Sequence, residues 1–167
     1  MTDRTKVKSK INNILGICCY HLLPIKQEYY IGKGKTIGIC TLSSLDLLKE
    51  IKNDHEIMDK ISIVGRLLSE NKGIDEIIKF STNNKSFKYL LLCGEEGKGH
   101  LPGQTLIALK KNGIDQNKKV INSAAAYPFL ASTNHEIKYF RDHINIIDKI
   151  GLKDIDKIKD TIYDIHV

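Results

Sequence analysis

The segment from Gly94 to Gln104 contains the residue types best able to do chemistry. It reads GEEGKGHLPGQ, with four glycines, three charged residues and one histidine directly after an apolar run. Gly99 before His100 and Pro102-Gly103 after it provide backbone that a large planar ligand can approach closely. A neutral imidazole nitrogen is also a good ligand for a late transition metal. The pattern favours His100 as a metal ligand, and a solvated or helix-capping histidine is the alternative.

Two common phosphate-binding motifs do not fit this segment. Gly94 and Gly99 have P-loop spacing, but His100-Leu101 stands where Lys and Ser or Thr must contact phosphate and magnesium. The glycines also lack the G-x-G-x-x-G spacing of dinucleotide-binding folds. A helix starting near Gly103 would still offer free N–H groups to an anion. A nucleotide- or phosphate-binding, Rossmann-like regulatory domain is therefore the alternative function.

The remaining histidines do not complete a zinc site with His100. None has H-x-x-E-H or H-x-x-x-H spacing with it. They are His21, His55, His135, His143 and His166. A lone histidine suits a metal whose other ligands come from a macrocycle, as in haem or a corrinoid.

Four short apolar runs alternate with helical patterns and must position this segment. The runs predict strands at residues 36–40, 61–65, 89–93 and 119–123. A hairpin is expected to join residues 29–31 to the first of them through Gly32-Lys33-Gly34-Lys35. The helical patterns carry Leu45, Leu48 and Ile51; Ile74, Ile77 and Ile78; residues 104–111; Ile137, Phe140, Ile144 and Ile147; and residues 153–165.

This alternation indicates βαβ units and an α/β, Rossmann-like fold with a mostly parallel sheet and helices on both faces. The chain is predicted to form a single domain over residues 1–167, in which residues 1–27 are a poorly determined leader with a short basic helix. Such sheets bind ligands beyond the carboxyl ends of their strands. Residues 41–44, 65–71, 94–104 and 123–129 are therefore expected to converge.

Composition excludes several classes of protein. A chain of 167 residues with 41% hydrophobic residues is long enough for one stable core. The net charge of +6 comes without a basic motif interleaved with aromatics, so no nucleic-acid partner is expected. No apolar run approaches the roughly 18 residues that cross a bilayer. Four cysteines at non-motif spacings predict reduced thiols in a cytoplasmic protein, with Cys40 and Cys93 as core residues.

Several short motifs resemble, in chain order, those of the A subunit of tetrahydromethanopterin S-methyltransferase. That protein carries the corrinoid of a sodium-pumping complex in methanogenic archaea. The resemblance spans roughly residues 30–150. The motifs are CTLSS at 40–44, IVG at 63–65, SENKGI at 69–74, LLCG at 91–94, KGHLPGQ at 98–104, KNGID at 111–115 and AYPF at 126–129.

The resemblance implies a cobamide (cobalamin) cofactor whose cobalt takes His100 as its lower axial ligand and catalytic residue. A methyl group would reach cobalt from methyl-tetrahydromethanopterin and leave to the thiolate of coenzyme M. His100 would bind in the methylated state and detach in the reduced one. The implied partners are methyltransferase proteins on the methyl-tetrahydromethanopterin and coenzyme M sides. A carboxylate on the other ring nitrogen would fix the tautomer, with Glu70 favoured over Glu95.

The resemblance and the converging loops together nominate a set of cofactor-binding residues. The 126–129 loop could pack against a corrin edge or simply close over the sheet, and Lys98 could meet a cobamide phosphate or amide, or only water. The set is Thr41, Leu42, Ser43, Glu70, Asn71, Gly94, Glu95, Lys98, Gly99, His100, Leu101, Pro102, Gly103, Gln104, Ala126, Tyr127, Pro128 and Phe129.

One departure from the family concerns the membrane. The family member inside the complex continues into a C-terminal transmembrane helix, and no such helix is predicted here. The expectation is either a cut-down soluble domain or a free-standing cytoplasmic homologue, with the second favoured, and coupling to sodium transport does not carry over.

Overall fold

A five-stranded sheet forms the centre of the computed structural model, which describes residues 28–165. Its strands are β1 (Tyr29–Ile31), β2 (Ile37–Cys40), β3 (Ile63–Gly65), β4 (Tyr89–Leu92) and β5 (Asn145–Asp148). Their spatial order is β1-β3-β2-β4-β5, and every neighbouring pair is parallel except β1 with β3. The predicted α/β class with a mostly parallel sheet is confirmed, while the narrower Rossmann-like assignment stays a prediction.

Six helices cover the two faces of this sheet. They are α1 (Leu45–Asn53), α2 (His55–Lys60), α3 (Lys72–Asn83), α4 (Pro102–Asn112), α5 (Asn134–His143) and α6 (Ile155–Ile165). One apolar core joins α3, α4 and α5 to the sheet, and a second joins α1, α2 and α6 to its other face. The expectation of helices on both faces is confirmed.

The central strands form where the sequence is most apolar. All four residues of β2 are buried, as are the last three of β4. Such runs suit parallel strands that are covered on both faces. The helix α5 begins at a capping box in which Thr133 and Glu136 satisfy each other's backbone N–H groups. The apolar runs therefore account for β2 and β4, and the capping residues account for the start of α5.

The strand order creates a topological switch point beside β2. The chain goes from β2 to β3 on one side, and then crosses back to β4 on the other side. The carboxyl ends of β2 and β4 therefore diverge into loops that leave in opposite directions. Ligand crevices in open α/β sheets form at this kind of position.

The predicted hairpin between residues 29–31 and 36–40 is wrong. β1 pairs antiparallel with β3, and β3 lies between β1 and β2. The glycines of the connection pack against α2 and its end: Gly32 N donates to Ser62 O at 3.0 Å, and Gly34 N donates to Ile61 O at 2.9 Å. The Gly-rich segment therefore does not form a tight turn. It passes from β1 to β2 across the end of β3, and hydrogen bonds to Ile61 and Ser62, just before β3, hold it there.

The predicted strand at residues 119–123 is also wrong, as is the helical assignment of Ile144 and Ile147. Lys119 and Val120 form only isolated bridges, to Phe129 and Ile114. The helix α5 ends at His143, and Asn145–Asp148 is the fourth parallel strand, paired with β4. A three-residue spacing of isoleucines suits a helix, but here the pairing with β4 decides the conformation.

The predictions about the leader and about membrane spans can be compared with the structure only over the described residues. The predicted leader at residues 1–27, with Cys18 and Cys19, lies outside them. Among the helices of residues 28–165, none is long and apolar enough to span a bilayer.

Candidate functional site

The loops after β2 and β4 are joined by hydrogen bonds at the switch point. Ser43 donates to the carbonyl of Glu95 through its N–H at 3.0 Å and through Oγ at 2.7 Å. Glu95 N donates in return to Ser44 Oγ at 2.8 Å. These contacts fix the start of the glycine-rich loop against the carboxyl end of β2.

The loop after β3 also lies at this edge of the sheet, and it forms hydrogen bonds with the 126–129 loop. Glu70 is only 1% exposed, and its Oε1 accepts a hydrogen bond from Tyr127 N at 2.9 Å. The amide of Asn71 donates to Tyr127 O at 3.1 Å. Two consecutive side chains therefore hold both backbone groups of Tyr127.

His100 completes the convergence, because its Nδ1 lies 2.8 Å from Oε2 of Glu70. A carboxylate accepts hydrogen bonds, so in the neutral imidazole Nδ1 is the nitrogen that carries the proton and Nε2 is the one that keeps a free lone pair. The imidazole is 37% exposed, whereas its carboxylate partner is buried. The structure thus brings all four loops together, and the ring presents Nε2 as its available nitrogen.

Special backbone conformations shape the loop that carries His100. Gly94 has φ +75°, and a Cβ there would lie 2.4 Å from the carbonyl oxygen of Thr41. Gly99 has φ +84° with nothing within 4 Å of the position that a Cβ would occupy. Leu101 adopts the left-handed region at φ 45° and precedes α4. The loop is therefore closely packed at Gly94 and open at Gly99.

Glu96 caps α4 and takes the N–H groups that the phosphate alternative requires. Its Oε1 accepts from Gly103 N at 3.1 Å, and its Oε2 accepts from Gln104 N at 2.8 Å. A carboxylate at a helix N-terminus satisfies the same backbone donors that would bind an anion. The predicted anion site near Gly103 is therefore already filled by a side chain of this chain.

The two carboxylates suggested as partners of His100 have different surroundings. Glu95 is exposed and pairs with Lys153 at 2.6 Å. The hydrogen bond from this ammonium holds the pKa of Glu95 below its usual range. Of the two, only Glu70 contacts the imidazole. Lys98 is exposed on the loop between Glu95 and His100.

Other predicted residues support the loops or lie beneath them. Thr41 and Leu42 are fully buried at the end of β2. The Oγ1 atom of Thr41 has no hydrogen-bond partner among the described residues. Leu42 has φ 51°, a second leucine in the left-handed region. An unsatisfied buried hydroxyl is uncommon in native structures and marks the floor of the site as unusual.

The helix start and the 126–129 loop contribute the remaining predicted residues. Pro102 and Gly103 are buried in the first turn of α4. The side chain of Gln104 bonds to Asn122 O and to Ala124 N, each at 3.2 Å, so it holds the last loop in place. In that loop, which also contains Ala126 and buried Pro128, the rings of Tyr127 and Phe129 lie 4.7 Å apart.

Three residues that build the site lie in the loops expected to converge but are not among the predicted binding residues. They are Ser44 and Glu96, described above, and Arg66, which donates to Ser43 O at 3.1 Å and pairs with Glu28 at 3.3 Å. A serine before a helical pattern is a recognisable signal of a helix start, and Ser44 is the residue that precedes α1. No sequence signal indicated the cap by Glu96, because it precedes α4 by six residues.

Few side chains near His100 could serve as further ligands of a metal ion. Within residues 28–165, no group of three or more His, Cys, Asp or Glu side chains is arranged to hold a metal ion. Any metal bound by His100 together with these residues would therefore need ligands from elsewhere, as a metal inside a macrocycle has.

Comparison with known proteins identifies relatives over most of the chain. A family model for the A subunit of tetrahydromethanopterin S-methyltransferase matches residues 21–167. The A subunit of the putative methyltransferase Mtx from Methanosarcina acetivorans is 32% identical over 143 residues, which cover 84% of this chain and 68% of that protein.

Two further relatives carry the name of tetrahydromethanopterin S-methyltransferase itself. The A subunit from Methanocaldococcus jannaschii is 31% identical over 142 residues, which are 83% of this chain and 56% of that protein. The A subunit from Methanosphaera stadtmanae is 35% identical over 112 residues, which are 66% of this chain and 45% of that protein. The match therefore spans about half the length of these two proteins.

Proposed function

Because the chain belongs to the family of the A subunit of tetrahydromethanopterin S-methyltransferase, we propose that it is a methyl carrier that binds a cobamide at His100. The bound cobamide would supply a cobalt ion that accepts a methyl group and passes it to a thiol. The physiological activity proposed is transfer from methyl-tetrahydromethanopterin to coenzyme M, with partner proteins on each side, in the cytoplasm. The pairing of His100 with buried Glu70 carries this proposal.

In this proposal His100 would be the residue that holds the cobalt ion. The hydrogen bond between Nδ1 and Glu70 supports this role, because it leaves Nε2 as the nitrogen that would coordinate. A buried carboxylate behind a ligating imidazole fixes its tautomer and raises its basicity, which is the usual arrangement at protein metal sites. Glu70 is itself restrained by the N–H of Tyr127. The chain thus orients the ring through two successive hydrogen bonds.

Two features of the loop support access by a large flat ligand. Gly99, the residue before His100, has nothing within 4 Å of the position that a Cβ would occupy. The His100 side chain is partly exposed, although its partner is sealed from solvent.

The contacts of Glu96 disfavour the nucleotide or phosphate alternative. That function needs free N–H groups at the start of α4, and those of Gly103 and Gln104 already bond to this carboxylate. An incoming phosphate would have to displace an internal anion that is held by the chain itself. No second function is therefore proposed.

Visible absorption spectroscopy of the full chain with added cobalamin tests the proposal. The protein should retain the corrinoid through gel filtration and show a histidine-ligated spectrum, and His100→Ala should bind it without that form. His143→Ala is the matched control, because His143 is an exposed histidine on α5 that should leave the spectrum unchanged. Failure to retain cobalamin, or an identical spectrum for the His100 variant, would contradict the proposal.

A further inference from the structure

The backbone next to His100 is held by hydrogen bonds at Leu101. The N–H of Leu101 donates to Gly97 O at 3.0 Å, which closes an α-turn over residues 97–101 around the histidine. The carbonyl of Leu101 accepts from Thr105 N at 3.0 Å and from Thr105 Oγ1 at 2.8 Å. Both backbone groups of the residue that follows the imidazole are therefore bonded.

Leu101 depends on these bonds because its backbone is in an unfavourable region. Its φ of 45° and ψ of 49° are left-handed, a conformation that non-glycine residues rarely adopt. The peptide that joins Leu101 to Pro102 has no N–H, so its carbonyl is the group through which a hydrogen bond can hold it. The hydroxyl of Thr105 adds a second donor to the N–H that an ordinary helix start supplies.

The hydroxyl of Thr105 is in turn oriented by Ser123. The Oγ atoms of these two residues lie 2.8 Å apart. A hydroxyl has one proton and a carbonyl oxygen only accepts, so Thr105 donates its proton to Leu101. Ser123 is therefore the donor to Thr105, and its own oxygen accepts from Ala125 N at 3.2 Å. The hydrogen bonds run in one direction, from the loop after α4 to the carbonyl of Leu101.

The loop after α4 is thus connected to the histidine turn at two separate places. Tyr127 N bonds to Glu70, which contacts the imidazole of His100. Ser123 bonds to Thr105, which holds the backbone one residue further along. The first connection acts on the ring and the second acts on the main chain that carries it.

We propose that Thr105 and Ser123 are positioning residues that orient the imidazole of His100. The hydroxyl of Thr105 holds Leu101 in its left-handed conformation, and Ser123 keeps the proton of that hydroxyl directed at the carbonyl. A fixed backbone after His100 limits the directions of its side chain, which keeps Nδ1 at hydrogen-bond distance from Glu70. This inference deepens the proposed function and rests on it for the role of His100 as a ligand.

Ring ¹⁵N NMR of the full chain without cobalamin, at the same pH for every variant, tests this positioning. The native His100 ring should be held in the tautomer that carries its proton on Nδ1. Thr105→Val keeps the β-branched shape but removes the hydroxyl, and it should give a mixture of both tautomers. Thr105 is fully buried, so water does not replace the lost bond. With cobalamin added, the equilibrium constant for histidine ligation should fall about two- to tenfold.

Two further variants separate positioning from a general loss of stability. Thr161 forms the same kind of bond on α6, where its Oγ1 donates to Lys157 O at 2.8 Å. This helix packs on the opposite face of the sheet from α4. Thr161→Val should therefore leave the His100 ring signals unchanged. Thr105→Ser retains the hydroxyl and should restore the native signals.

Ser123→Ala changes a half-buried residue and decides the question if Thr105→Val does not fold. It should move the ring signals of His100 in the same direction. Unchanged ring signals in both variants, even with a lower Tm, would overturn the proposal and leave the hydroxyls a structural role only. Failure of Thr105→Ser to restore the signals would also overturn it. A native chain that fails to bind cobalamin would contradict the proposed function alone, because the ring signals are recorded without the cofactor.

Discussion

Glu70 lies 2.8 Å from His100 through one carboxylate oxygen and holds the backbone N–H of Tyr127 through the other. One buried side chain therefore connects the histidine of the glycine-rich loop to the last loop of the site. The position of the imidazole and the position of residues 126–129 depend on the same group.

Glu70→Gln should weaken histidine ligation of added cobalamin without preventing folding. The neutral amide lacks the negative charge that raises the basicity of the imidazole. It also has a single acceptor oxygen, so it cannot accept from both His100 Nδ1 and Tyr127 N through separate oxygens as the carboxylate does. Loss of such a partner lowers metal affinity about 10- to 100-fold. Absorption titration measures the histidine-ligated fraction, and Glu50→Gln, an exposed change on α1, serves as the control. An unchanged titration would contradict the role of Glu70.

Asn71 should act on His100 through Tyr127. Asn71→Asp keeps the oxygen that accepts from Lys72 N at the start of α3, but it removes the amide that donates to Tyr127 O. The expected cost is about 1–3 kcal/mol of stability for the unsatisfied contact. The ring ¹⁵N shifts of His100 should also move in NMR spectra of the protein without cobalamin. A loss of stability with unmoved His100 shifts would show that the contact is only structural.

Removing the Glu96 cap should create an anion site where the native chain has none. Glu96→Ala frees the N–H groups of Gly103 and Gln104, at a cost of about 1–2 kcal/mol. Added phosphate should then raise the Tm of the variant more than that of the native chain at equal ionic strength. Equal responses of the two proteins would contradict this account of the helix terminus.

The buried thiol of Cys40 should make stability fall in alkali. Burial raises the pKa of Cys40 from 9.0 to about 12 and also raises that of Cys93. Above pH 9 the unfolded chain releases protons that the folded chain keeps, so stability present below that pH is lost as the pH rises toward 12. The slope is at most about 1.4 kcal/mol per pH unit for each thiol. Urea unfolding at several pH values measures it, and Cys40→Ala should show a shallower slope than the native chain.

The parts of the fold that sequence predicts well are those whose signal is local and strong. The apolar run at residues 89–92 is long enough to be buried on both faces, so the predicted strand agrees with β4 within one residue. The loops that follow buried parallel strands must meet at one edge of the sheet, and this rule predicts that residues 65–71 and 94–104 converge. That a carboxylate contacts His100 is an expectation from the family resemblance. The preference for Glu70 over Glu95 comes from the family motif.

The parts that sequence misses depend on distant partners. β1 pairs with β3 because the crossing at Gly32 and Gly34 packs against the end of α2, and nothing in the local pattern shows this. β5 exists because β4 offers it an edge, although its isoleucines suit a helix equally well. The short helix α2, capped by Asp54, escapes prediction for a similar reason, since six residues carry too little periodicity.

Leu42 and Leu101 adopt backbone conformations that glycine reaches without penalty. Each costs of order 1–2 kcal/mol relative to an ordinary conformation. Leu101 sits immediately after His100, so a glycine there would relieve the cost and also loosen the loop that orients the imidazole. Selection for heat tolerance alone would favour that replacement, and selection for a rigid ligand would oppose it. Ancestral or laboratory lineages that gain thermal tolerance at position 101 should therefore lose order at the histidine.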